Sequence, residues 1–199
     1  IDGKYIPYAE EDLKEVLIEF MSHPLLRSKR ISRLFRDIPK HNTIAGCETP
    51  HMREVIMKEL YERGLTCECI RTREVRGASI DPIKNEIIVH HRECSEGDEY
   101  FIELVNDSLI LGFVRLRLPR GDATLNYSSM PEYAFIRELH VYSHVNSTID
   151  EIENEDSNQH RGYGSLLLHQ AEAICLQKGY YAIAVIAGVG VRNYYAKKH

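Results

Sequence analysis

Apolar positions in this 199-residue chain recur with two spacings, and the change from one to the other divides it. Between residues 9 and 21, Leu13, Val16, Leu17 and Phe20 share one helical face behind the acidic turn Glu10-Glu11-Asp12, predicting an amphipathic helix that His23-Pro24 ends. A second helix is expected from about Thr49 to Arg63, opened by Thr49-Pro50, closed by Gly64 and buried along Met52, Val55, Ile56 and Leu60. After Pro82 the spacing becomes that of strands: Glu86–Val89, Glu99–Val105 and Ser108–Leu118, with Asn106-Asp107 as the hairpin turn between the last two. Tyr133–Tyr142 alternates apolar and polar residues as a half-buried strand does, Leu166–Cys175 returns to helical spacing, and Tyr181–Ala187 reads as a buried strand after Gly179. Asn193–Lys198 opens a last helix. An antiparallel meander followed by strand, loop, helix and strand predicts an α/β fold with a mixed sheet.

Composition narrows the class. A hydrophobic fraction of 43% suffices for a real core, and no run of about 20 apolar residues suggests a membrane span. The opening Ile1-Asp2-Gly3-Lys4 is not a signal peptide, and five cysteines, an odd number, argue against a disulfide framework, so the expectation is a cytoplasmic protein with no membrane partner. The net charge of −5 excludes nucleic-acid binding by bulk attraction and leaves local patches to decide.

Two patches stand out. Residues 27–36 carry Arg27, Lys29, Arg30, Arg33 and Arg36 with no acid, anchored by Ile31, Leu34 and Phe35; they read as a strand and loop, either solvated or touching phosphates. In Cys67–Gly77, Arg71, Arg73 and Arg76 follow, with Arg71 and Arg73 on one face of an extended segment, making salt bridges such as one to Glu74 or facing nucleic acid. Five acids between Asn146 and Asn158 predict a solvated loop that repels a phosphate chain. Cys67 and Cys69, with His91 (or His90) and Cys94, are either the ligands of a tetrahedral zinc or buried thiols beside strand histidines. Cys47 and Cys175 read as core residues.

The motif with the most chemistry is Gln159-His160-Arg161-Gly162-Tyr163-Gly164-Ser165, running into the helix at Leu166. Glycines one residue apart let the backbone turn tightly, so that amide N–H groups and the positive helix end meet an anion. There is no Walker lysine and no third glycine, so neither nucleotide fingerprint fits. The stretch resembles the pyrophosphate loop Q/R-x-x-G-x-G/A of the GNAT acetyltransferases.

Three separated stretches, Arg71-Thr72-Arg73-Glu74-Val75-Arg76, Arg137-Glu138-Leu139-His140-Val141-Tyr142 and Gly188-Val189-Gly190-Val191-Arg192-Asn193-Tyr194-Tyr195, together with Arg36-Asp37-Ile38-Pro39, resemble the catalytic subunit of Elongator across nearly the whole chain. The resemblance implies residues 1–80 as the closing part of a radical-SAM βα barrel and residues 81–199 as a GNAT-like domain lacking its C-terminal end. The cysteine triad for an iron-sulfur cluster is absent from this sequence, so S-adenosylmethionine and the cluster would belong to a full-length protein of which this is a fragment or shortened form. Acetyl-CoA would lie along Glu138, Leu139, His140 and Val141, with its pyrophosphate at Gln159–Ser165 and further contacts from Asn193, Tyr194 and Tyr195. Tyr195 matches the tyrosine of the GNAT pattern Y-x-x-x-G-Y/F and would protonate the leaving thiolate; Tyr194 is catalytic or core, and Glu138 and His140 are the ionisable candidates for a base. The implied function is a tRNA-dependent, acetyl-CoA-using acyltransferase in carboxymethyl-type modification of the wobble uridine, with tRNA triggering thioester cleavage and other Elongator-type subunits as partners. The alternatives are a protein (histone) lysine acetyltransferase and a non-enzymatic tRNA-binding module that senses acetyl-CoA.

Overall fold

A computed structural model describes residues 6–34, 36, 38, 40–120, 133–142 and 162–196. The chain forms two compact units, residues 1–73 and 74–199.

In the first unit, α1 (Glu10–Ser22), α2 (Met52–Glu62) and the short α3 (Ile70–Arg73) are joined by irregular chain and 3-10 turns at Pro24–Ser28 and Lys40–Asn42. Its described residues include no strand. The core gathers Ile18, Met21, Leu26, Met52, Ile56, Leu60, Cys67 and Cys69. For α2 the buried stripe is the expected one, with Val55 only partly covered. On α1 it is rotated: Ile18 and Met21 are buried while Val16 and Phe20 are 62% and 44% exposed. A shift of one position turns a helix by about 100°, so an adjacent apolar stripe wins where α2 approaches. Arg63, at the end of α2, ties the helices by donating to Glu15 at 2.5 Å and Glu59 at 3.0 Å.

The described residues of the basic stretch form no strand. His23 caps the Pro24–Ser28 turn by accepting from Leu25 N–H at 3.2 Å, and the backbone beyond is held by side chains: Arg53 donates to the Ile31 carbonyl at 2.9 Å and Arg71 to that of Ser32. Carbonyls satisfied by guanidinium groups need no neighbouring strand. The segment expected to be extended around Arg71 and Arg73 is instead helical as α3.

The second unit is built on a five-stranded sheet in the order β1 (Asn85–Cys94), β2 (Gly97–Asn106), β3 (Leu109–Pro119), β4 (Tyr133–Val141), β5 (Ala182–Val185). The first three junctions are antiparallel and β4–β5 is parallel. Asp107 takes a left-handed φ of 53°, which makes the β2–β3 turn. Helix α4 (Tyr163–Gln177) lays Leu167, Leu168, Ala171, Ile174 and Cys175 over Ile102, Leu104, Val114, Leu116, Ala134 and Ile136, and α5 (Arg192–Ala196) follows β5. Val75, Ala78 and Ile80 pack into this core as well. This is the α/β mixed-sheet class that the periodicity predicts. Among the described residues no helix is long and apolar enough to cross a membrane.

Candidate functional site

The site begins where two strands part. β5 pairs with β4 only from Tyr133–Ala182 to Ile136–Val185, and the Ile186 N–H to the Ile136 carbonyl, 2.9 Å, closes the pairing. β4 continues to Val141 against β3 alone, so along Arg137–Val141 its other edge has no strand partner among the described residues. The β3–β4 register also slips there, from Arg115–Glu138 to Leu116–Ile136, leaving Arg137 as a bulge that re-aims the strand. An unpaired backbone edge offers amide donors and carbonyl acceptors to whatever fills the gap. Gly112, opposite Val141, makes the approach possible: a Cβ there would stand 2.8 Å from the His140 carbonyl and 3.2 Å from the Leu167 side chain.

Helix α4 starts beside this edge. Gly162 is its N-cap and gives no side-chain cap, no acid occupies the first turn, and the Ser165 hydroxyl is buried without a hydrogen-bond partner among the described residues. A helix N-terminus with open amides and an orphaned hydroxyl suits an anion. Gly162 has φ −102°, on the right-handed side that any residue can adopt, and a Cβ there would meet no described residue within 4 Å. Gly164 is different: a Cβ there would run into the Tyr194 hydroxyl and lie 3.8 Å from Val141. The glycine spacing therefore admits a tyrosine and keeps the helix mouth open; it does not serve a left-handed turn. Tyr163 fixes the first turn by accepting from Asn85 at 3.1 Å, while Asn85 accepts from the buried Asn106 at 2.8 Å. Gln159, His160, Arg161 and the acidic loop lie outside the described residues.

From α5, Tyr194 and Tyr195 meet edge to face, ring centres 5.2 Å apart. Tyr195 lines a cleft of about 380 Å³ with Ile136, Leu168, Glu172, Ile183 and Val185. Burial, and then Tyr194, push its phenol pKa above the ordinary 10.0. Leu139 and Val141 pack toward α4, so strand alternation turns Glu138 and His140 to the other face. There Glu138 accepts from Arg115 at 2.8 Å, Arg115 lies 4.9 Å and 5.1 Å from the ring centres of Phe101 and Phe113, and His140 packs on Phe113 and Tyr142. The two tyrosines and the two candidate bases thus stand on opposite sides of β4. Asn193 is exposed on α5.

No protein-family model matches the chain. It is 33% identical to the "tRNA uridine(34) acetyltransferase" of Methanocaldococcus infernus, over 98% of this chain and 38% of that protein. It is 31% identical to human "Elongator complex protein 3", over 98% of this chain and 36% of that protein. The solved structure of archaeal Methanocaldococcus infernus Elp3 with an N-terminal deletion superposes with a TM-score of 0.79 at 31% identity, covering 98% of this chain and 47% of that one. The chain belongs to the Elongator catalytic-subunit family. It spans about 38% of the length of the first of these relatives.

Within this Elongator family member the expected zinc site is not assembled. Among the described residues no three or more His, Cys, Asp or Glu gather to hold a metal, and all five cysteines are free thiols. Strand geometry supplies the reason: His91 and Cys94 are three apart on β1 and point to opposite faces. His91 instead pairs with Asp98 at 2.7 Å and stacks on Tyr100 at 4.7 Å, while the other histidine considered, His90, meets buried Glu103 at 2.8 Å. Cys67 and Cys69 do converge, in the first unit's core. Their mutual hydrogen bond, then Thr72 and Arg53, lower the Cys69 thiol pKa against burial, and the same bond, with burial, raises that of Cys67. The same thiols offer no triad for an iron-sulfur cluster. Cys175 is core as expected; Cys47 is half-buried and donates to Glu10 at 3.7 Å.

The basic residues sort into two groups. Arg73 is buried and donates to the carbonyls of Glu68 and Arg27, each at 2.8 Å, and Arg27 pairs with Glu68 at 2.7 Å, so these two brace the fold. Arg71 holds Ser32, Arg76 meets Glu74 at 3.4 Å, and Lys29 and Arg30 have contacts of their own. Arg33 and Arg36 are exposed and make no hydrogen bond or ion pair among the described residues. Sequence reasoning missed Gly112, Arg115 and Arg53. A glycine inside a strand pattern was the available signal for Gly112; nothing local marks the other two.

Proposed function

We propose that this chain is the acyl-transfer part of a tRNA-modifying enzyme that uses acetyl-CoA at the wobble uridine. The observation that carries the reading is the edge of β4 beyond Ile136, which has no strand partner among the described residues, set beside the start of α4, where Gly162 gives no side-chain cap. The residues fit the group: the Ser165 hydroxyl is buried without a partner among the described residues, and at Gly162 a Cβ would meet none of them within 4 Å. The β4 backbone from Glu138 to Val141 would hold the pantetheine amides, and the α4 amides with Ser165 would hold the pyrophosphate. Bound acetyl-CoA would supply an activated acyl group. Tyr195, like any phenol, is protonated throughout the neutral range, burial raises its pKa further above the ordinary 10.0, and it has a proton to give a leaving thiolate. Tyr194, against Gly164, positions Tyr195 beside the start of the helix. Glu138, held by Arg115, shapes the strand from the other face and is not the base in this reading. Binding of tRNA would trigger thioester cleavage, and the name of the human relative, an Elongator complex protein, suggests an assembly with other Elongator subunits.

Acetyl-CoA hydrolysis, measured with and without tRNA and with a histone peptide, tests this. A rise with tRNA, lost in Tyr195→Phe, is expected. A rise with the lysine peptide alone overturns the tRNA reading, and tight binding of tRNA and acetyl-CoA with no turnover overturns the enzymatic one.

A further inference from the structure

We propose that the first unit carries a pocket for a backbone phosphate of RNA, with Arg33 as its mobile cation and Arg71 in its wall. The proposal rests on the tRNA reading above and adds where, and by which residues, the strand is gripped. The pocket encloses about 210 Å³ between residues 32–34, the first turn of α2 and Arg71. Three guanidinium groups line it, those of Arg33, Arg53 and Arg71, against one carboxylate, that of Glu54.

The arginines have different tasks. Arg53 is fully engaged, donating to the Ile31 carbonyl at 2.9 Å, Thr72 at 3.2 Å and the Cys69 sulfur at 3.3 Å. Arg71 is fastened to the Ser32 carbonyl. These two anchors hold the carbonyls of residues 31 and 32 and present Arg33 on a fixed backbone, so the ordering cost left when a ligand arrives is that of the Arg33 side chain. Arg33 is exposed and makes no hydrogen bond or ion pair among the described residues, so its fork of donors is available. The first turn of α2 adds to the field. Its Glu54 and Val55 amides close on the His51 carbonyl at 2.8 Å and 3.4 Å, and His51 supplies no side-chain cap.

A phosphodiester matches this lining, since its two non-bridging oxygens can take the paired donors of a guanidinium fork and the three arginines outweigh the one Glu54 carboxylate. The strand source is favoured over a small free anion because Lys29, Arg30 and Arg36 extend the basic run on either side of Arg33, along which a polyanion can continue.

The test uses the full chain, a hairpin RNA of anticodon-arm size and inorganic phosphate as probes. Arg33→Ala should weaken hairpin binding about five- to tenfold and reduce the salt slope by roughly 0.7 to 0.9, with Arg33→Lys recovering part of the affinity. Glu54→Gln should do the opposite, tightening binding about two- to fivefold. Acetyl-CoA affinity should be the same in all of them. Wild-type hairpin affinity in both Arg33→Ala and Glu54→Gln overturns the pocket while the tRNA reading stands. No hairpin binding by the unaltered protein overturns both. Saturation by inorganic phosphate at micromolar concentration, without competition by the hairpin, assigns the pocket to a small anion and overturns the RNA proposal.

Discussion

Tyr195 is the residue whose chemistry depends most on its surroundings. It lines the cleft with Ile136, Leu168, Ile183 and Val185, and burial raises its pKa above the ordinary 10.0, so the protonated form that can donate, already dominant for a free phenol, stays dominant at every physiological pH. The sign follows: a rate needing that proton is retained below pH 10 and falls only above the raised value. Tyr195→Phe should therefore lower tRNA-stimulated turnover by about a hundredfold or more while acetyl-CoA affinity is kept, and a pH–rate profile of the unaltered enzyme should show no alkaline loss near neutrality. Gly164 gives a second test at the same scale. An alanine methyl would displace the Tyr194 hydroxyl, which is the end of a side chain and can move, so the fold should survive. Acetyl-CoA affinity should fall about tenfold with the melting temperature nearly unchanged; calorimetry reporting wild-type affinity would remove Tyr194 from the site.

Elements show how strands and helices put such residues in place. The approach of α4 and β4 to β3 depends on Gly112, where a Cβ would meet the His140 carbonyl, a backbone atom that cannot swing away. Gly112→Ala should destabilise the second unit by on the order of 1–3 kcal/mol, read as a lower thermal midpoint, and should weaken acetyl-CoA binding as well. In the first unit, α1 depends on pH. Lys14 first, and then Thr49, hold the Glu10 carboxyl at about 2 instead of 4.5. A lowered carboxylate pKa contributes stability that is complete above 4.5 and is lost as pH falls toward 2. Glu10→Gln should flatten the acid limb of a stability–pH curve over that window; an unchanged limb would show that the contact is too exposed to count. The basic run shows the converse, a stretch with strand-like alternation that is irregular because arginine side chains, not a neighbouring strand, take up its carbonyls.

At the scale of the whole molecule, the Elongator relationship and the two-unit division predict separable effects. Gly164→Ala should leave hairpin binding unchanged and Arg33→Ala should leave acetyl-CoA binding unchanged, each measured in the other's assay. The order of helices and strands was legible in the sequence because spacing reports which face of a local element is apolar, and the stretches from Arg71, Arg137 and Gly188 were specific enough to carry the family. Local spacing says nothing about partners distant in sequence. It could not show that α1 buries Ile18 and Met21 in place of Val16 and Phe20, since two apolar stripes were available and the docking of α2 selects between them. It could not show that the residues proposed for zinc have other partners, because that depends on the pleat of β1 and on Asp98 and Tyr100 across the strand. The parting of β4 from β5 after Ile136, the closeness of Tyr194 to Gly164 and the division of the arginines into braces and available cations were likewise decided only in three dimensions. The chain's own pattern determines which residues prefer to be buried; which of them meet, and which polar groups are left for a ligand, follows from long-range packing that no single stretch encodes.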